Sequence, residues 1–140
     1  MEPVKKLIKQ AGVTIDRFRN EQAMQLGITG VQFSVIDFLA HQENNAASQT
    51  AIENEFEIKR STTTIMLQRM EKHDLIQRIS DSHDKRKKMV QLTDKSLLLV
   101  PQIKQMIAND DLDLLKFFSK EEIETTKKVL NFIRKGTMNE

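Results

Sequence analysis

Two short runs with partial apolar/polar alternation, Leu75-Ile76-Gln77-Arg78-Ile79 and Met89-Val90-Gln91-Leu92, stand on either side of Ser80-Asp81-Ser82-His83-Asp84-Lys85-Arg86-Lys87-Lys88, which contains no apolar residue. Alternation of period two marks half-buried strands, and a connection this polar cannot enter a core, so the three segments together predict a β-hairpin with a long charged tip. Two helical patterns come immediately before it. Residues 48–56 carry Ser48 or Thr50 near the start and Ala51, Ile52 and Phe56 as an apolar side. A tight connection at Glu57-Ile58 leads into residues 59–73, where Thr63, Met66, Leu67 and Met70 follow the i, i+3, i+4, i+7 spacing of a helix packed on one face. Helix, short turn, helix and then hairpin is the order of a winged helix.

The flanking segments read as helices. Val4, Leu7, Ile8, Ala11, Ile15 and Phe18 form one apolar stripe on a first helix, in a region that Leu26-Gly27-Ile28 ends. Thr29 and Gln32 have capping-box spacing before a second helix with Val31, Val35, Ile36, Phe38 and Leu39, and Gln42-Glu43-Asn44-Asn45 reads as a loop. Thr93-Asp94 opens a run through Leu97, Leu98, Val100, Ile103, Met106 and Ile107 that Pro101 should kink or break. Ser119 and Glu122 form a second capping box before Ile123 to Ile133. The expected class is mostly α (α+β), a winged helix-turn-helix with a two-stranded wing. We expect one domain over 1–140, with residues 29–92 as its winged part and residues 1–25 and 93–140 as a helical part. The terminal stripes have little left in a chain of 140 residues to cover them, so pairing with a second copy, a homodimer, is expected.

Charge is distributed unevenly. Residues 59–91 hold nine Lys/Arg against four Asp/Glu, a balance of +5, whereas the rest of the chain holds thirteen against sixteen, or −3. A basic block in an otherwise acidic protein suits a polyanion. The absence of cysteine excludes disulfides, thiolate zinc sites and thiol redox switches. No apolar run approaches the ~20 residues of a membrane span, and the N-terminal residues lack a signal-peptide stretch, so a cytoplasmic protein with no membrane partner is expected. His41, His73 and His83 have neither an i, i+4 partner nor a cysteine, Ser61 has no base nearby in sequence, and Glu121-Glu122 suits the electrostatics of a helix start. We therefore expect no metal, no cofactor and no enzyme activity.

Three stretches resemble the MarR family of bacterial transcriptional regulators: Ile28-Thr29-Gly30-Val31-Gln32-Phe33 leading to Leu39; Arg60-Ser61-Thr62-Thr63-Thr64 followed by Met70-Glu71-Lys72-His73-Asp74-Leu75-Ile76; and Asp81-Ser82-His83-Asp84-Lys85-Arg86 followed by Leu92-Thr93. The third is the most specific, being similar to the family's Asp-x-Arg-Asp-x-Arg wing and following Leu-Thr. The resemblance implies a winged-helix dimer joined through its terminal helices, commonly a repressor and often released by a small ligand. This chain departs from the family's pattern at three positions. His83 replaces the first wing Arg, Asp74 stands at the usual Gly after the recognition helix, and Ile65 replaces an often basic residue.

With Thr63, Met66, Leu67 and Met70 turned inward, Ser61, Thr64, Ile65 and Gln68 share the other side of their helix. Gln68 is suited to adenine N6/N7, Thr64 and Ile65 to a thymine methyl, and Arg60 with Ser61 to phosphate. In the wing, Lys85, Arg86, Lys87 and Lys88 supply cations. Arg86 is suited to a narrow minor groove, with Asp84 orienting it. The expected partners are double-stranded DNA, a second copy of the chain and a small-molecule effector of unidentified chemistry in a cleft between the winged part and the terminal helices. The expected function is a ligand-responsive repressor on a pseudo-palindromic operator. The alternative is a winged-helix interaction module, such as an anti-repressor, that binds little DNA.

Overall fold

A computed structural model describes residues 2–136, which leaves the ends of the expected 1–140 domain outside the described residues. Seven helices and three short strands follow in the order α1 (Val4–Gln25), α2 (Gly30–Ala40), β1 (Ala46–Ala47), α3 (Gln49–Phe56), α4 (Arg60–Lys72), β2 (Ile76–Ser80), β3 (Lys88–Leu92), α5 (Asp94–Leu97), α6 (Val100–Leu115) and α7 (Lys120–Lys135). The winged helix-turn-helix order is present. The described residues form two compact units, one ending at Ile103 and the other beginning at Lys104.

In the first unit, α2 is the central helix. Phe33, Val35, Ile36 and Leu39 are fully buried there, together with Ile52 of α3 and Leu67 and Met70 of α4. The Phe38 and Phe56 rings meet edge to face at 5.9 Å and join α2 to α3. Thr29 starts α2 with the expected capping box, its hydroxyl accepting from Gln32 N at 3.2 Å while Gln32 Oε1 accepts from Thr29 N at 3.0 Å. Gly30 follows because α1 leaves no room for a side chain. Its N–H donates to Asn20 Oδ1 at 2.8 Å, and a Cβ would overlap that oxygen. The Arg19 guanidinium lies 4.7 Å from the centroid of the Phe33 ring, a second tie between α1 and α2.

The first helix continues past the apolar stripe, through Gln25, and only Ala23 among its residues is fully buried. Local hydrogen bonding carries it where the stripe fades. The sheet is larger than the expected hairpin: its order is β1-β3-β2, antiparallel throughout, with Ala46 opposite Gln91 and Ala47 opposite Val90. The segment after the polar loop thus covers the free edge of β3. Gln91 reaches both ways, donating to Asn44 O at 3.0 Å and accepting from Gln77 Nε2 at 3.0 Å.

Three helix ends share one device. Ile28 N donates to Ala23 O, Ile58 N to Glu53 O and Leu75 N to Met70 O, at 3.0, 3.1 and 2.9 Å. Each bond closes around a left-handed residue, Gly27, Glu57 or Asp74, with φ of 76°, 52° and 59°. Asp74 therefore occupies the left-handed position where the family favours glycine, and the extra steric cost is borne within the turn. From the other side, Thr93 Oγ1 donates to Asp74 O at 2.7 Å and Lys95 Nζ to His73 O at 2.8 Å. Thr93 also forms a buried capping box with Ser96. This explains a threonine after Leu92: its hydroxyl ties the end of α4 to the start of α5.

The long helical run breaks between α5 and α6. Pro101 lies in the first turn of α6, where a missing N–H costs no helical bond. In the second unit, Ser119 and Glu122 make the expected capping box, and Lys127 Nζ pairs with Asp111 Oδ2 at 3.6 Å to link α7 with α6. Between them lies a cavity of about 470 Å³ with Leu114, Phe118, Ile123 and Leu130 in its lining. Among the described residues no single helix is long and apolar enough to cross a membrane.

Candidate nucleic-acid interface

The inward face of α4 is as expected. Thr63, Leu67 and Met70 are buried and Met66 is half-buried. The Thr63 hydroxyl is satisfied by donating to Lys59 O at 2.9 Å. Ser61, Ile65 and Gln68 are exposed along the opposite face, at i, i+4 and i+7, and Ile65 is 52% exposed. An exposed isoleucine here offers a methyl-rich surface to any partner.

Thr64 is held by α3, and Arg60 stands beside it. The Thr64 hydroxyl donates to Arg60 O at 2.9 Å and accepts from Gln49 Nε2 at 2.8 Å, which places this half-buried residue at the α3–α4 seam. Its hydroxyl hydrogen is committed within the protein. Arg60 Nη1 stands 3.6 Å from Glu53 Oε2. The sequence pattern singled out neither Gln49 nor Glu53. Their i, i+4 spacing on α3 was the available sign, because it sets two polar side chains on one face beside the following helix.

The wing loop is a built turn. Val90 and Leu92 are buried at its root, and β2 and β3 stay in register from Ile76 opposite Leu92 to Ser80 opposite Lys88. Ser80 and Lys88 thus belong to the strands. Asp81 N donates to Lys87 O at 2.8 Å across the mouth, and Lys87 N to Asp84 O at 3.0 Å. Two carboxylates then fold the tip onto itself: Asp81 Oδ1 accepts from His83 N at 2.9 Å, and Asp84 Oδ1 accepts from Arg86 N at 3.0 Å and Arg86 Nε at 3.4 Å. These are Asx turns, in which an aspartate oxygen takes a backbone donor two residues on. The Arg86 side chain is 93% exposed. Lys85, Lys87 and Lys88 are exposed as well. The hairpin therefore presents four consecutive cations to solvent on a frame of backbone hydrogen bonds. Among the described residues no group of three or more His, Cys, Asp and Glu could hold a metal ion.

Comparison with known proteins places this arrangement. The MarR family profile matches residues 26–87, which run from the end of α1 into the wing. The transcription regulator MarR from Oenococcus oeni is 31% identical in sequence, and its crystal structure aligns with a TM-score of 0.83 over 95% of this chain and 99% of that one. The S. aureus MepR–DNA complex aligns with a TM-score of 0.86 over 97% of this chain and 99% of MepR, at 21% identity, a likeness of fold. The HTH-type transcriptional regulator PecS of Dickeya dadantii is 25% identical over 133 residues, 94% of this chain and 80% of PecS. With the winged fold, the wing sequence and a relative matched end to end at this identity, the chain belongs to the MarR family of transcriptional regulators.

Proposed function

We propose that this regulator binds duplex DNA sequence-specifically, as a cytoplasmic homodimer on a pseudo-palindromic operator, and acts as a repressor released by a small-molecule effector. The observation that carries the reading is the wing: four exposed cations, three on the loop and Lys88 at the start of β3, beside a loop whose own carboxylates are spent on folding it. A solvated loop needs no such frame, whereas a guanidinium entering a minor groove gains from being aimed beforehand. MepR, whose fold this chain shares, was solved with DNA. In this reading Ser61, Ile65 and Gln68 face the major groove, Arg60 contacts phosphate, and Thr64 supports them from the seam. A cavity of about 380 Å³ in the first unit, with Leu26, Ile28, Thr29, Gln32, Leu75 and Lys95 in its lining, is large enough for a small effector.

The test is a salt titration. Affinity for duplex DNA should fall steeply with salt, log K declining by about 0.9 per phosphate neutralised for each unit of log salt. Binding that is flat in salt would overturn the reading and favour the interaction module.

Dimerisation rests on exposed apolar surface. Val4, Leu7, Ile15 and Phe18 of α1 are exposed, as are Leu112, Leu114, Leu115, Val129, Leu130, Phe132 and Ile133 of α6 and α7. Apolar surface in such amount is uncommon on a monomer and suits an isologous interface. Sedimentation at micromolar protein should give a dimer; a monomer at that concentration would overturn the assignment.

A further inference from the structure

We propose that Glu53 tunes the affinity of the DNA-contacting face by holding Arg60 in reserve, so that a phosphate must displace a carboxylate to engage it. The proposal rests on the DNA-binding reading above. Glu53 Oε2 is the one buried side-chain nitrogen or oxygen, among the described residues, that receives no hydrogen bond. Its side chain is only 16% exposed, while that of Arg60, 3.6 Å away, is 73% exposed. The pair is too long for a hydrogen bond, so the guanidinium compensates the buried charge by Coulomb attraction without being fixed in direction.

The two partners differ in their freedom to move. Glu53 belongs to the body of α3, and its carbonyl accepts from Ile58 N at 3.1 Å to close the turn into α4. Arg60 is the first residue of α4 and faces solvent. When the guanidinium leaves for a phosphate, the carboxylate stays where it is, desolvated and without its counter-charge, and that state is costly. The cost is the same on every duplex. The gain depends on how well a phosphate is placed, and only a DNA whose backbone fits α4 supplies one placed well enough. On a fitting site Arg60 engages and the whole cost is subtracted, whereas on random DNA Arg60 stays with Glu53 and only the smaller gain of a poorly placed phosphate is forgone, so Glu53 weakens binding to a fitting site at least as much as binding to random DNA.

Asp84 provides the contrast. Its oxygen is held by the Arg86 backbone N–H as well as Nε, so carboxylate and guanidinium travel together on one loop. Loss of the carboxylate should weaken binding in the wing and strengthen it at the foot of α4.

The experiment compares wild type with Glu53→Gln, nearly isosteric and uncharged, on a random-sequence duplex and on a site selected from genomic fragments, across a series of salt concentrations. Glu53→Gln should bind the random duplex several-fold more tightly, with a salt slope steeper by about 0.9, the contribution of one more phosphate. The gain on the selected site should be at least as large, with an unchanged salt slope because Arg60 already meets a phosphate there, and both gains should vanish in an Arg60→Ala background. Glu53→Met, which fills similar volume without charge, should behave as Glu53→Gln does. Unchanged or weaker binding by both variants overturns the proposal, and so does a gain that persists without Arg60, since the carboxylate would then be a general repulsive charge. Wild-type protein that binds no duplex overturns the DNA-binding reading and this proposal together; wild-type binding with unaltered variants overturns this proposal alone.

Discussion

Replacing Arg86 by alanine should weaken operator binding by about 1–3 kcal/mol, roughly five- to 150-fold in affinity, while leaving thermal stability within about 0.5 kcal/mol of wild type. The two halves of this expectation have separate causes. Arg86 is 93% exposed and contacts only Asp84 by its side chain, so its loss disturbs no packing. A guanidinium in the minor groove, by contrast, gains from the focused negative potential there and releases bound counterions. Asp84→Ala should also weaken binding, although it removes a negative charge, because Asp84 Oδ1 holds both the Arg86 backbone and its Nε. Fluorescence anisotropy on a labelled duplex at moderate salt measures both variants. Unchanged affinity in Arg86→Ala would remove the wing from the DNA contact. Tighter binding in Asp84→Ala would reduce that carboxylate to a repulsive surface charge.

The largest loss of stability should come from Phe33→Ala. Phe33 is fully buried in α2 and also carries the Arg19 guanidinium over its ring. Truncation of a buried phenylalanine costs about 3–5 kcal/mol, counting lost transfer energy and the cavity left behind. A domain is typically stable by only ~5–15 kcal/mol. Phe33→Leu should retain most of the stability because it keeps much of the volume. Urea unfolding at one fixed protein concentration reads the difference, the concentration mattering because a dimer gains stability by mass action. A loss below about 1 kcal/mol in Phe33→Ala would show that the α1–α2 junction lies outside the cooperative core.

Features set by a few neighbouring residues were legible in the sequence. The capping boxes of Thr29 with Gln32 and Ser119 with Glu122 form as their spacing predicts, because donor and acceptor lie within one turn. The Asp84–Arg86 pairing is legible for the same reason. The strand Ala46–Ala47 was not, since two alanines have no period and the strand exists only where β3 offers an edge. Glu57 in a left-handed turn was equally hidden, because glutamate is not a residue that advertises positive φ. In the candidate site, the sequence set Ser61, Ile65 and Gln68 on the outer face of α4, where they lie exposed, but showed nothing of what restrains their neighbours. Thr64 and Arg60 are governed by Gln49 and Glu53 across the turn, and such tertiary partners leave only a faint mark in local patterning.

The strand order β1-β3-β2 also bears on how the protein behaves when concentrated. A bare two-stranded hairpin has two open edges, each a template on which another chain can add a strand. Here the return strand β3 sits in the middle. One outer edge is only two residues long, too short for a stable addition. The other is β2, with exposed Gln77 and Arg78 beside the exposed cations of the loop that follows it. An incoming strand would have to align beside those charges, so like-charge repulsion between copies guards the edge that backbone pairing leaves open. The basic loop thus protects the folded protein from edge-to-edge aggregation, whatever else it binds.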